Sequence, residues 1–270
     1  MNWEAYDYYL FASAALLGTV VAAALLIWVL THERWRAYFE PLAGIRPQFM
    51  NVLGVLFALT LAFLANDTWN AHDRALAAVD GEADALRSIV VVTGHLPPSD
   101  AVLIRNAALD YARAAVEEWP MLGRRETSPG AAQAADGLLA ILADPRIVAE
   151  SGGSTSQAGI GLALSIRDGR ETRLALSQTH VNPLKWAGMA FLGFLTMLTV
   201  ALVHIGSPRP MVKAVAIFAL ASAPTAVIVL IHGNPFQPPG AVSAAPLVEF
   251  AETAGRIGTQ KGAETPTPSR

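Results

Sequence analysis

The residues of this chain whose types and spacing could do chemistry stand at one junction. Asn66, Asn70 and Asp73 follow one another at three- or four-residue steps, and Ala77, Asp80, Asp84 and Arg87 continue the series. On an α-helix such steps bring side chains onto one face. If several copies of the chain surround an axis, that face becomes stacked rings of Asn and Asp. Such rings concentrate cations, whereas anion pores favour Arg or Lys. The plainer reading is a polar cap where a helix leaves lipid, followed by a solvated face. Elsewhere the sequence offers no comparable set. His32 and His232 lie at the ends of apolar runs and His204 near another, with no i, i+4 pair of the kind that holds a metal. No Ser sits in a nucleophile elbow, and no Gly-rich phosphate loop is present. The expectation is therefore no catalytic residue, no metal site, no cofactor and no enzyme.

The element that must position the face runs from Asn51 to Val91. Asn51 to Ala65 is almost purely apolar, the remainder is amphipathic, and no Pro interrupts either part. The reading is one long helix that leaves a membrane and continues into water. Leu76, Val79, Ala83, Leu86 and Val90 form an apolar stripe at helical period. Gly54, Ala58 and Ala62 form a small-residue ridge that lets helices approach closely in lipid. Composition agrees with a membrane setting: 15% of residues are charged, against about 25% in a soluble domain. The absence of Cys excludes disulfides and thiolate sites. A net charge of −3 gives no reason to expect a nucleic-acid partner.

Four apolar runs are long enough to cross a bilayer, at about residues 10–30, 50–70, 186–205 and 211–231. The first follows Glu4 and Asp7 rather than Lys or Arg, so it reads as a retained span and not a secretory signal. Trp3, Trp28, Trp35 and Tyr38 flank it as interfacial aromatics do. Residues 72–181 form a helical extramembrane insert between spans two and three, with no strand pattern. Within it Ser99 or Asp100 would cap a helix over Val102–Trp119, whose apolar side carries Val102, Leu109, Val116 and Trp119, and Pro120 would end or kink it. Ser128-Pro129, Asp144-Pro145 and Asn182-Pro183 are cap-plus-Pro helix starts. Residues 151–156 read as a Gly/Ser loop, and Ile160–Thr179 as a helix with Arg167, Arg170 and Arg173 on one side. Those arginines either pair with acids of the central helix, Glu82 or Asp84, or form a solvated basic face. Positions three and four from Arg74 hold no acid, so Arg74 needs a partner on another helix or faces water or headgroups. Residues 247–257 suit a short helix, and 258–270 read as a disordered tail.

Two short motifs carry a family resemblance. One is Gly54…Phe63…Asn66…Trp69…Asp73-Arg74 in the central stretch, and the other is Asn234-Pro235-Phe236 after the last span. With the order of elements from Phe49 to Leu247, they resemble bestrophins, and more closely the bacterial proteins described as bestrophin-like. The resemblance implies an all-α chain with four transmembrane helices, assembled as a homopentamer in a cell membrane, for a bacterium the inner one. It also implies an ion channel with lipid and inorganic ions as partners and the second span lining the pore. Matching on Arg74 puts the neck at Ala58, Ala62 and Asn66, and a one-residue shift brings in Leu59 and Phe63. With the polar face, the pore-lining candidates are Ala58, Leu59, Ala62, Phe63, Asn66, Asn70, Asp73, Asp80 and Asp84. The calcium clasp that animal bestrophins carry after the Pro-Phe turn has no counterpart, because residues 237–246 hold no carboxylate. The alternative function is a non-conducting membrane scaffold or sensor. Orientation divides the two lines of argument. Arg34, Arg36, Arg46, Arg209 and Lys213 flank one side of the spans, which the positive-inside rule puts in the cytoplasm, with the helical insert outside. Bestrophins have the reverse arrangement.

Overall fold

The computed structural model describes residues 6–39, 41 and 47–263. The expectations placed on Trp3, Glu4 and Arg46 lie outside them. The described residues contain no strand and are 85% helical. In chain order the helices are α1 (Asp7–Thr31), α2 (Glu33–Phe39), α3 (Pro47–Val92), α4 (Pro98–Leu122), α5 (Pro129–Leu142), α6 (Pro145–Ser151), α7 (Gly153–Ser177), α8 (Pro183–Val203), α9 (Pro208–Ile231) and α10 (Ala245–Ala263). Four of them, α1, α3, α8 and α9, are long and apolar enough to cross a membrane. The chain is all-α with four such helices, and α4 to α7 lie between the second and third of them in sequence.

The chain forms two compact units. The first comprises residues 1–70 and 180–234. In it α1 packs along α9 and α8. Leu26 and Leu30 of α1 meet Met197 and Leu202 of α8 and Met211 and Val215 of α9. The apolar half of α3 joins through Phe57 and Leu64, which pack with Met189, Ala226 and Val229. Small residues matter at two close approaches: a Cβ on Gly193 would come within 3.1 Å of the Phe57 ring, and one on Gly233 would collide with the Tyr8 ring. At Gly54, the first residue of the expected ridge with Ala58 and Ala62, no such approach occurs among the described residues, since nothing lies within 4 Å of a Cβ there. The outer surface of this unit is apolar, with Leu17, Ile217 and Leu220 all exposed, as lipid-facing positions are. Asn182 caps α8 by accepting from the amides of Leu184 and Lys185 at 3.1 and 3.2 Å, which satisfies two free donors of the first turn.

The second unit comprises residues 71–179 and 235–270. Its core joins the amphipathic half of α3 to α4, α5, α7 and α10 through Leu86, Ile89, Ile104, Leu138, Ile166, Leu247 and Phe250. Each such buried side chain contributes about 1.5–3 kcal/mol. Ser128 and Asp144 cap α5 and α6 as their cap-plus-Pro patterns require, accepting from Ala131 at 3.4 Å and Arg146 at 2.8 Å.

Several boundaries differ from the sequence reading, each for a physical reason. α4 begins at Pro98 with Pro97 before it and no side-chain cap, so Ser99 and Asp100 lie in its first turn. Pro120 stays inside α4, two residues from its end, so the helix loses the one bond its missing amide would make and stops at Leu122. The loop over 151–156 shrinks to Gly152, whose φ of +75° is accessible to glycine, and α7 starts at Gly153. The buried side of α4 runs through Ile104, Ala108, Tyr111, Ala115 and Leu122, while Val102 is exposed. Alanines let the neighbouring helices approach, so they and not Val102 mark the packed side. The last helix reaches Ala263, past the expected end at Ile257. Residues 258–263 of the expected tail are therefore helical, and the rest lie outside the described residues.

Candidate functional site

α3 runs unbroken for 46 residues. All nine pore-lining candidates are exposed on it: Ala58, Leu59, Ala62, Phe63, Asn66 and Asn70 within the first unit, and Asp73, Asp80 and Asp84 within the second. Leu59 is 50% and Phe63 70% exposed, so the described residues leave these side chains of the apolar segment largely open. The two flanking acids differ from the third. Asp73 and Asp80 make no ion pair among the described residues. Asp84 accepts from Arg87 Nη1 at 2.8 Å, and Arg87 also lies 3.7 Å from Glu249 of α10. Arg74 is exposed beside this series. Asp67, on another side of α3, pairs with Lys185 at 3.1 Å in the first unit. There, too, Asp7 accepts the amide of Val181 at 3.0 Å and faces His180 at 3.3 Å.

The opposite side of α3 in the second unit carries a buried cluster of charges. Of the expected stripe Val79, Ala83 and Leu86 are buried and Val90 packs against the core, Leu76 is exposed, and Ala75, Glu82 and Ile89 join the buried side. A carboxylate thus sits in the middle of a buried apolar stripe, and it needs partners to remain charged there. Arg173 of α7 supplies two, Nε at 2.6 Å and Nη2 at 3.0 Å, in the bidentate geometry that suits guanidinium and carboxylate. Tyr111 of α4 donates its hydroxyl to Glu82 Oε2 at 2.7 Å. Glu82, Arg173 and a second acid, Glu118 of α4, are all fully buried. Glu118 binds Arg170 at 2.6 Å and the Ser128 amide at 2.8 Å, and lies 3.7 Å from Arg173 Nη1. Two carboxylates and two guanidiniums therefore neutralise one another. Gly169 makes the arrangement possible, since a Cβ there would stand 2.7 Å from Glu82 Cγ.

The surroundings reinforce the charge states. Burial pushes the Tyr111 hydroxyl well above its ordinary value, and the negative charge of Glu82 pushes it further. Burial alone would lower the Arg173 pKa, but attraction to Glu82 overrides it and raises it. Trp119 lies 5.1 Å under the Arg173 guanidinium. Its indole donates to the Val242 carbonyl at 2.9 Å and meets Phe236 edge-on at 5.6 Å. Phe236 of the Asn-Pro-Phe turn is thus built into the wall beside Arg173. Gln237, next in the chain, donates to the Gly123 carbonyl at 2.7 Å.

Of the two readings left open for the arginines, pairing holds for Arg173 with Glu82. Arg170 pairs with Glu118 and Arg167 with Asp136, at 3.5 Å, neither of them on the central helix. Asp84 takes Arg87 of its own helix instead. The sequence reading missed Glu118 and Tyr111. Their signal was present as polar residues on the Ala-rich side of α4, a place where an unpartnered charge is not tolerated. Among the described residues no group of three or more His, Asp and Glu is arranged to hold a metal.

Four apolar helices of spanning length, one of them continued into a helical unit, make this an all-α membrane protein. The chain belongs to the bestrophin-like family: the model of the bestrophin-like domain matches residues 17–247. The fold is also that of crystal structures of a bacterial bestrophin homolog from Klebsiella pneumoniae. Two point mutants of that homolog superpose with a TM-score of 0.64 at 14% and 13% identity, over 91% of this chain and 98% of theirs. A crystal structure described as a membrane protein has a TM-score of 0.60 at 15% identity, over 94% of this chain and 98% of its own. No curated protein sequence matches the chain. The protein is therefore a membrane protein related to the bestrophin ion channels.

Proposed function

We propose that this protein is an oligomeric ion channel of the cell membrane, a pentamer as its bestrophin resemblance implies, with α3 lining the conduction path. The observation that supports the reading is that every candidate position on α3, apolar and polar alike, is exposed among the described residues. Copies arranged around an axis would give Leu59 and Phe63 to a constriction and Asn66 and Asn70 to its mouth, followed by rings of Asp73 and Asp80. Rings of carboxylate favour cations. Asp84, held by Arg87, contributes less field than its charge suggests. Lipid on the outer faces and inorganic ions on the axis are the partners, and catalysis has no part in the reading.

The competing reading is a non-conducting scaffold or sensor. It draws on the second unit, which has its own sealed core and an internally neutralised charge cluster. The two separate cleanly by experiment. Purified protein is sized in detergent and reconstituted into liposomes carrying a potassium gradient. A ring-forming oligomer with ionophore-independent flux supports the channel. A monomer, or an oligomer that leaves the gradient intact, supports the scaffold.

A further inference from the structure

We propose that Glu82 and Arg173 are positioning residues that fix the rotation of α3 about its own axis and so aim Asp73, Asp80 and Asp84. The proposal rests on the reading of α3 as the lining helix. An α-helix turns about 100° per residue. Relative to Glu82, Asp80 therefore lies at about 160°, Asp73 at about 180° and Asp84 at about 200°. The buried carboxylate stands at the antipode of the exposed acids, so a clamp on one side sets the direction of the other. The apolar stripe alone is a poor clamp. Its buried members, from Ala85 through Ile89, Ala75, Leu86 and Val79 to Ala83, spread over about 160° of the helix circumference. A stripe this wide stays buried through a rotation of a few tens of degrees.

A bidentate ion pair does not tolerate such a rotation. Arg173 meets both oxygens of Glu82, and Tyr111 fixes Oε2 from a third direction on another helix. Gly169 brings α7 against the Glu82 stem, so close that a Cβ there would stand 2.7 Å from Glu82 Cγ. Arg173 is itself fixed by the Trp119 ring at 5.1 Å and by Glu118 at 3.7 Å. Two helices thus hold one side chain of α3 from defined directions. Buried ion pairs add little net stability over well-packed apolar residues of the same size, so their use here is geometric.

The test uses the full chain, which has no cysteine. Cys is placed singly at Asp80, which is exposed, and at Val79, which is buried about 100° away. The labelling rates with a small thiol reagent are compared in the native background and in a Glu82→Met, Arg173→Met, Tyr111→Phe background. That background replaces the pair with apolar groups of similar length and should fold. The expected result is that the Asp80-to-Val79 rate ratio falls about tenfold, the equivalent of losing one charge-assisted hydrogen bond. The reversal potential of reconstituted protein should also move toward zero. The single Glu82→Gln variant keeps one acceptor for Arg173 but sets its amide donor against the second Arg173 donor, so it breaks the fork and should also lower the ratio. If the Met background unfolds, Arg173→Lys takes its place, because an ammonium keeps the charge balance but not the fork. A folded variant with an unchanged labelling ratio overturns the proposal. A changed ratio with no conduction, or with an unmoved reversal potential, leaves the clamp standing and refutes α3 as the lining helix.

Discussion

Three arginines on one face of α7 give a graded stability series, because the same side chain meets three depths of burial at i, i+3 and i+6. Arg173 is fully buried, Arg170 is 11% exposed and Arg167 is 41% exposed. Replacing each by Met keeps most of the packing volume and isolates the charge. Arg173→Met leaves Glu82 buried with only the Tyr111 hydroxyl, and removing one partner of a buried pair costs about 3–5 kcal/mol. Arg170→Met is milder, about 2 kcal/mol, because Glu118 keeps the Ser128 amide and the nearby Arg173. Arg167→Met should fall within about 0.5 kcal/mol, since its 3.5 Å contact with Asp136 is open to solvent. At about 2–4 °C per kcal/mol for a chain of this size, the first variant should lose about 6–20 °C of apparent Tm. Detergent-purified variants are compared at one scan rate by tryptophan fluorescence, which Trp119 beside Arg173 makes sensitive to this region. Arg173→Met as stable as native, or Arg167→Met as damaging as Arg173→Met, would refute the assignment of the charge cluster.

Further outcomes follow from the same geometry. Tyr111 has its pKa raised by burial, so its folded-state value lies above its unfolded value near 10. Below pH about 10 both states hold the proton and its contribution is intact. As pH rises past that point the unfolded state loses the proton first, and stability drops by up to about 1.4 kcal/mol per pH unit. Tyr111→Phe should be less stable at neutral pH by about 1.5–3 kcal/mol, the worth of a hydrogen bond to a charged acceptor. It should also lose stability less steeply above pH 10, and parallel Tm-against-pH curves would count against a buried hydroxyl. In a conducting protein, Asp80→Asn should lower cation preference more than Asp84→Asn, because Arg87 already offsets Asp84; equal reversal-potential shifts would remove that distinction. The positive-inside count places the helical insert outside the cell. Ser128→Cys should then react with an impermeant maleimide on intact cells, and reaction only after lysis would establish the bestrophin orientation.

Much of the fold is written locally. The unbroken α3 follows from a long stretch without Pro in which apolar residues recur at helical period. The starts of α5, α6 and α8 follow from Ser128, Asp144 and Asn182 set directly before Pro, because cap and first-turn geometry are decided within four residues. The apolar runs of the spans are equally local, since length and composition alone decide whether a helix can cross a bilayer. The exposed candidates on α3 belong with these, as helical spacing assigns them to sides of one element. The charge cluster does not. Glu82, Glu118 and the arginines of α7 are distant from one another in sequence, and every possible pairing of acid with arginine is compatible with local propensity. Sequence spacing placed Arg167, Arg170 and Arg173 on one side of a helix, but which of them meets an acid depends on how deep α7 lies against α3 and α4. That depth is set by Gly169 and by the alanines of α4, whose small size permits close approach without announcing it. The choice of Glu82 over Asp84 has the same origin. The two differ by two residues, about 200° around the helix, and only the packed neighbours decide which side is buried and which faces water.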